Sequence, residues 1–157
     1  MRFRNKLFAL FTIILLYFSD QVTKFLAVKN LISGESIPII KNHFHITLVF
    51  NSGAAFGMFR AIPHLFEVIA IIAVFLINFL LLRKSHALVP AEKISLYLIL
   101  AGTLGNLTDR IRLGYVVDFI DFRIWPVFNF ADCFITVGAI MLGLSVLGVF
   151  RGGRVNA

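Results

Sequence analysis

The stretch LFEVIAIIAVFLINFLLL, residues 65–82, decides the class of this protein. It is an apolar run close to the roughly 20 residues that an α-helix needs to cross a bilayer. Arg83 and Lys84 follow it directly, which is typical of the cytoplasmic end of a span. The rest of the chain has the same character, because 59% of its 157 residues are hydrophobic and only 15% are charged. A soluble domain of this length could not bury so much apolar surface, so we expect lipid to surround it.

Further apolar stretches predict an all-α membrane protein with four transmembrane helices and a small extracytoplasmic β-containing cap. The predicted spans are residues 7–28, 65–82, 94–109 and 128–150, the cap is residues 30–64, and residues 1–157 form a single integral membrane domain. Alternating β-branched and aromatic residues from Ile37 to Phe50 predict one or two short strands in the cap. Asn51–Gly53 then predicts a turn, and residues 54–59 predict a short amphipathic element at the membrane interface.

Basic residues predict the orientation of these spans. Lys and Arg are concentrated in the N-terminal segment, in the loop 83–93 and in the C-terminal segment 151–154. The positive-inside rule places all three segments, and therefore both termini, in the cytoplasm. The net charge of +7 is explained by these flanks, so we expect no nucleic-acid binding. Because no small-residue cleavage site follows the apolar start, we expect residues 7–28 to remain as the first span.

Ionisable residues occur at the outer ends of the predicted spans, where each must face a protein interior, a partner or water. The residues that should gather there in one layer are Asp20, Lys24, Asp109, Arg110, Asp118 and Asp132. Desolvation by apolar neighbours should raise the pKa of Asp118. If Asp118 and Asp132 meet, they share a proton and can perform the general acid–base chemistry of a peptidase. In the alternative, each is a rim residue paired with Arg112 or Arg123.

Five motifs occur in order along the chain. They are DQVTK (20–24), NSGAAFG (51–57), GNLTDR (105–110), VVDF (116–119) and FNFAD (128–132). Each motif is weakly specific by itself. Together, over residues 7–150, they make the chain resemble the lipoprotein signal peptidases (signal peptidase II), which are membrane aspartic peptidases.

The resemblance implies a function and a location. It implies a multi-pass endopeptidase of the bacterial cytoplasmic (inner) membrane, which removes the signal peptide from diacylglyceryl-modified prolipoproteins just before the lipidated cysteine. Asp118 and Asp132 would be the catalytic pair, without a metal or other cofactor. The residues implied to bind substrate or support the site are Asp20, Lys24, Asn51, Gly53, Asn106, Asp109, Arg110 and Asn129. Its expected partners are prolipoproteins and membrane lipid, and we expect a monomer.

Other interpretations stay open from the residues alone. Asp20 and Lys24 are four apart, which also suits a simple helix-stabilising ion pair. Gly53 permits close backbone approach, but it could equally belong to an ordinary small-residue turn. A proton-linked transporter or channel subunit would also carry acids in its spans. His43 and His45, on one face of a strand, would supply only two metal ligands, which is a weak indication of a metal site.

Overall fold

The computed structural model describes residues 3–53, 64–84 and 86–150, without the side chain of Phe3. The elements are α1 (Phe3–Asn30), β1 (Ser36–Ile40), β2 (Phe44–Asn51), α2 (Leu65–Arg83), α3 (Pro90–Leu113), β3 (Val116–Asp121) and α4 (Phe130–Val146). The predicted amphipathic element 54–59 and the basic segment 151–154 lie outside the described residues. The chain is therefore mostly helical, with four helices and one small sheet in its described part.

Two of the described helices, Arg4–Asn30 and Leu65–Arg83, are long and apolar enough to cross a membrane. In α2 the only buried residues are Ala70 and Ile77, and large apolar side chains such as Phe75 point away from the protein. Such a helix is stable only if its outer surface contacts an apolar solvent. Helix α4 is apolar but shorter, with 17 residues.

Helix α3 lies at the centre of the molecule and packs against α1, α2 and α4, most extensively against α4. It contains 24 residues, which is longer than the predicted span 94–109. Pro90 is favoured in the first turn of a helix, and Gly114 ends this one with a left-handed φ of 80°. The charged turn around Asp109 therefore belongs to the helix, which continues to Leu113, and Asp109 itself is buried and hydrogen-bonded.

The sheet has the order β1–β2–β3, with both pairs antiparallel. The β1–β2 hairpin confirms the strands predicted between residues 37 and 50, and Asn42 provides the left-handed residue of its turn. We did not predict β3, whose six residues are all buried. His43 lies in the hairpin turn before β2, so the prediction that His43 and His45 share a strand face is wrong.

Two apolar clusters hold the helices and the sheet together. One joins the sheet to α1, and its buried members are Ala27, Leu48, Val117, Phe119 and Ile120. The other joins α2 to α3 and contains Ile77, Leu96 and Leu100. Helix α4 ends at Val146, before the predicted end of the fourth span at residue 150, and the chain then turns through Gly148 at a φ of 89°.

Glycines let α3 and α4 approach each other closely. A Cβ atom added to Gly138 would lie 2.7 Å from Ile99 Cγ1 and 2.8 Å from the carbonyl oxygen of Ser95. A Cβ atom added to Gly102 would collide with the carbonyl oxygen of Ala131. Small residues at helix contacts are a common solution in membranes, where close packing replaces the hydrophobic effect between helices.

We expect Gly102→Ala to lower the free energy of unfolding by about 1–3 kcal/mol, because the backbone of α4 cannot retreat without repacking. The control is Gly143→Ala in α4, where an added Cβ atom would meet no described atom within 4 Å. Thermal unfolding in detergent would measure both variants. Equal stability of the two variants would contradict this account of the α3–α4 contact.

Candidate active site

The segment after β3 returns antiparallel to it and starts α4 beside the sheet. Phe128 donates to the carbonyl oxygen of Ile120 at 3.0 Å and accepts from the Ile120 N–H at 2.8 Å. This pairing places Asn129, the residue before α4, directly against β3. The pairing explains how a short connection brings Asp118 and Asp132 into one place.

Asn129 is fully buried and is the N-cap residue of α4. Its Oδ1 accepts from the backbone N–H of Asp132 at 2.9 Å, which turns its Nδ2 towards β3. Nδ2 donates to Asp118 Oδ1 at 2.7 Å. The backbone N–H of Asn129 donates to Asp132 Oδ2 at 3.2 Å. One buried residue therefore bonds to both acids and holds them in one site.

Asp118 lies on β3 with only 2% of its surface exposed. Asn51 Nδ2 donates to its second oxygen at 2.9 Å. Burial raises the pKa of Asp118 to about 7, and the charge of Asp132 adds to this shift while the hydrogen bond from Asn51 opposes it. In the described part of the chain, Asp118 forms no ion pair with Arg123, which contradicts that alternative.

Asp121, three residues later on the same strand, shows the opposite behaviour. Burial alone would raise the pKa of Asp121, but hydrogen bonds from Thr47 and Arg123 outweigh it and hold the pKa below its usual value. Thr47 Oγ1 donates at 2.7 Å, and Arg123 forms a 2.9 Å ion pair. Only Asp118 of this pair is thus placed to retain a proton near neutral pH.

Lys24 connects α1 to α3 beneath the two acids. Its Nζ lies 2.9 Å from Asp20 Oδ2, 2.9 Å from Asp109 Oδ2 and 2.9 Å from Asn106 Oδ1. An ammonium group has three donors, so all of them are used. Lys24 is only 3% exposed, and two of its partners lie on another helix. The simple helix-stabilising pair therefore describes only part of its contacts.

Asn106 links Lys24 to Asp132 through hydrogen bonds. Because Asn106 Oδ1 faces the ammonium group, its Nδ2 points the other way and donates to Asp132 Oδ1 at 2.8 Å. Asn129 Nδ2 also lies 3.1 Å from Asn106 Oδ1. Among the described residues, Asp132 forms no ion pair with Arg112. Its carboxylate instead accepts hydrogen bonds from Asn106 and from the N-cap residue Asn129.

Two carboxylates connect this layer to the surrounding elements. Asp20 Oδ1 accepts from the backbone N–H of Ala131 at 2.9 Å, in the first turn of α4. Asp109 Oδ2 accepts from the backbone N–H of Val117 at 3.2 Å, on β3. These bonds attach α1 to α4 and α3 to β3, so the layer fixes the two elements that carry the paired acids.

Asn51 is oriented by the turn that follows it. Its Oδ1 accepts from the backbone N–H of Gly53 at 3.1 Å, and this leaves Nδ2 free to face Asp118. A Cβ atom added to Gly53 would meet no described atom within 4 Å. No described atom therefore approaches the backbone closely at Gly53, and the hydrogen bond to Asn51 fits the turn interpretation. Arg110 places its guanidinium 5.4 Å from the ring centroid of Phe66, and its charge also acts on Asp118 and Asp132.

Two residues of the layer were not predicted. Gln21 Nε2 lies 3.1 Å from Asp109 Oδ1, 3.2 Å from Asp20 Oδ2 and 3.3 Å from the carbonyl oxygen of Gly105. A Cβ atom added to Gly105 would lie 2.5 Å from Asp20 Oδ2, so the carboxylate occupies the space that a side chain would need. Both residues stand within the sequence motifs, which was the signal available for them.

This arrangement can hold one protonated and one ionised carboxyl group side by side, which is the requirement for activating water against a peptide bond.

Cys133 follows Asp132 and is partly buried. Among the described residues, no group of three or more His, Cys, Asp or Glu side chains could hold a metal ion.

Comparison with known proteins identifies the family. The signal peptidase (SPase) II family matches residues 12–148. A lipoprotein signal peptidase of Caldanaerobacter subterraneus subsp. tengcongensis is 47% identical, over 87% of this chain and 92% of its own. One from Clostridioides difficile is 46% identical, over 86% of this chain and 91% of its own.

Solved structures agree with this result. A bacterial membrane enzyme solved by the in meso method at 2.3 Å resolution has a TM-score of 0.84 and 29% identity, covering 95% of this chain and 93% of its own. A second one, solved at 1.9 Å, has a TM-score of 0.79 and 30% identity, with 88% and 92% coverage. These matches do not favour a transporter or channel subunit. The chain belongs to the signal peptidase II family and is a bacterial membrane peptidase of the aspartic type.

Proposed function

We propose that Asp118 and Asp132 are the catalytic pair of this peptidase, and that its substrates are prolipoproteins cleaved just before a diacylglyceryl-modified cysteine. The observation that carries the proposal is that the buried Asn129 bonds to both carboxyl groups, through its side chain and its backbone. The relatives' name, lipoprotein signal peptidase, supports this class of substrate.

The two acids divide the chemistry between them. Asp118, with a pKa of about 7, holds the proton. The carboxylate of Asp132 removes a proton from water, and the water oxygen attacks the scissile carbonyl carbon while Asp118 protonates the carbonyl oxygen. When the intermediate collapses, the carbon–nitrogen bond breaks, the proton held by Asp132 passes to the leaving amine, and a hydroxyl proton of the intermediate passes to Asp118 as the carbonyl group re-forms. Both carboxyl groups are then back in their starting protonation states.

We further propose that all four helices cross the bilayer as one monomeric, single-domain protein with both termini in the cytoplasm. The outer ends of α1 and α3 and the start of α4 meet in the polar layer. In the proposed orientation the acids lie at the extracytoplasmic interface, where the end of a signal-peptide helix would emerge. Helix α3 is long enough for a crossing, and its charged turn lies within that layer.

The other motif residues position the pair. Lys24 orients Asn106, Asn106 and Asn129 hold the acids, and Asn51 holds Asp118 from the sheet. Asp20 and Asp109 attach this set to the neighbouring elements. Gly53 keeps the amide of Asn51 in place, and Arg110 supplies positive charge near both acids.

We expect Asp118→Asn and Asp132→Asn each to lower kcat by at least about 100-fold, because each variant removes a positioned acid or base. The assay is cleavage of a synthetic signal peptide whose cysteine carries diacylglycerol. The matched control is Asp121→Asn, which changes another buried acid of β3 that bonds to Thr47 and Arg123 instead. Normal turnover by either site variant would disprove the catalytic pair.

We expect kcat/KM to fall as pH rises above about 7, because Asp118 then loses the proton it must donate. Initial rates at low substrate concentration, measured from pH 5 to 9, would show this limb. A rate that is constant through pH 8.5 would contradict Asp118 as the proton donor.

The free energy of unfolding tests the protonation of Asp118 independently of activity. The unfolded chain ionises Asp118 near its ordinary pKa of 3.8, whereas the folded chain retains the proton up to about 7. Between these two pKa values the folded state therefore binds more protons than the unfolded state. The contribution of Asp118 to the free energy of unfolding is lost as pH rises through this range. Relative to wild type, Asp118→Asn should show a smaller decrease in the free energy of unfolding between pH 4 and 7.

We expect Lys24→Met to lower the free energy of unfolding by about 3–5 kcal/mol, because it leaves the buried carboxylates of Asp20 and Asp109 without their cation. Lys29→Met, in the exposed last turn of α1, is the control. Chemical or thermal unfolding in detergent would compare them. A Lys24 variant as stable as the Lys29 variant would show that the ion pairs contribute little.

A further inference from the structure

A groove of 440 Å³ lies between the start of α1 and the start of α3, away from the acids. Its lining includes two basic side chains, Arg4 and Lys93, and three apolar or aromatic ones, Phe8, Ile94 and Tyr97. No part of the proposed peptidase chemistry uses these residues. Basic and apolar groups that converge in one groove are suited to an amphipathic ligand.

The groove lies about one membrane thickness from the candidate active site. Arg4 precedes Asp20 by 16 residues on α1, and Lys93 precedes Asp109 by 16 residues on α3. At 1.5 Å per residue, each separation is about 24 Å along the helix. The hydrocarbon core of a bilayer is about 30 Å thick, so the groove belongs to the opposite interface.

The charges in the groove are uncompensated by the described protein. Neither Arg4 nor Lys93 forms an ion pair with a described carboxylate. The neighbouring acid, Glu92, is buried and accepts from the backbone N–H of Val89 at 3.0 Å and from Ser145 at 3.3 Å. Two cations from different helices therefore face the same space, and an anion there would compensate both.

Tyr97 contributes a polar group to the groove. It is only 6% exposed, yet it lines the groove. Within the described chain, the Tyr97 hydroxyl forms no hydrogen bond and is not among the fully buried polar atoms, so it is open to the groove. A polar ligand atom in the groove would accept from this hydroxyl in place of water.

We propose that this groove binds an anionic phospholipid of the leaflet opposite the candidate active site. The phosphate lies between Arg4 and Lys93, the glycerol or ester oxygens accept from the Tyr97 hydroxyl, and the acyl chains run along Phe8 and Ile94. The ligand is a lipid instead of a free phosphate because the apolar side chains continue from the charges towards the membrane. This site is independent of the assignment of Asp118 and Asp132.

Native mass spectrometry of the full-length protein in detergent tests the proposal, with phosphatidylglycerol, phosphatidylcholine and glycerol 3-phosphate as the three probes. We expect phosphatidylglycerol to bind more tightly than phosphatidylcholine, and glycerol 3-phosphate to compete only weakly. Each charge removed should raise the Kd for phosphatidylglycerol about 5-fold, so Arg4→Gln/Lys93→Gln should raise it about 25-fold.

The matched control is Arg83→Gln/Lys84→Gln, which removes two basic residues of the predicted cytoplasmic side that do not line the groove. We expect this control to retain the wild-type Kd. Equal losses in both double variants would show non-specific surface attraction and overturn the site, as would equal affinity for phosphatidylcholine. Glycerol 3-phosphate binding as tightly as the lipid would overturn the lipid assignment. Tyr97→Phe keeps both charges and the ring, and an unchanged Kd in this variant would remove the hydroxyl from the site.

Discussion

The first turn of α4 begins inside the protein, where its backbone N–H groups cannot reach water. These groups need acceptors, because a buried donor without a partner is costly. Asn129 Oδ1 accepts from Asp132, and Asp20 Oδ1 accepts from Ala131. This single requirement turns the amide of Asn129 towards Asp118 and anchors α1 to α4. The geometry of the paired acids is therefore a result of how one buried helix end is capped.

The same logic appears in three asparagine side chains. In each, the carbonyl oxygen is occupied by a donor: the N–H of Gly53 for Asn51, the ammonium of Lys24 for Asn106, and the N–H of Asp132 for Asn129. The NH₂ group of each is then left to face an acid. None of these amides can flip without losing its hydrogen bonds, so the donors that face the two acids are fixed in position. Such preorganised donors avoid reorganisation during a reaction.

Much of this arrangement could be predicted from the sequence. Polar residues are rare in apolar segments, so Asp20, Lys24 and Asp132 stood out, and the motifs named nearly all of the layer. The strand β3 was missed because Asp118 and Asp121 are unusual in strands, although Val116, Val117 and Ile120 are typical of them. The role of Gly105 could not be predicted from the sequence, because it depends on a contact with Asp20, which is 85 positions away. The true end of α3 was signalled only by Gly114.

The bond from Asp20 to Ala131 joins the first helix of the chain to the last, across 111 positions. A ribosome delivers α1 to the bilayer long before α4 exists, and during that interval Asp20 already has Lys24 as its counter-ion one turn away. The early fragment can therefore enter lipid with its charges neutralised locally. With Asp118 and Asp132 as the proposed catalytic pair, such a fragment cannot cleave a neighbour, because it still lacks Asp132 and its cap. The order of synthesis would thus keep the nascent chain inactive until α4 has been made.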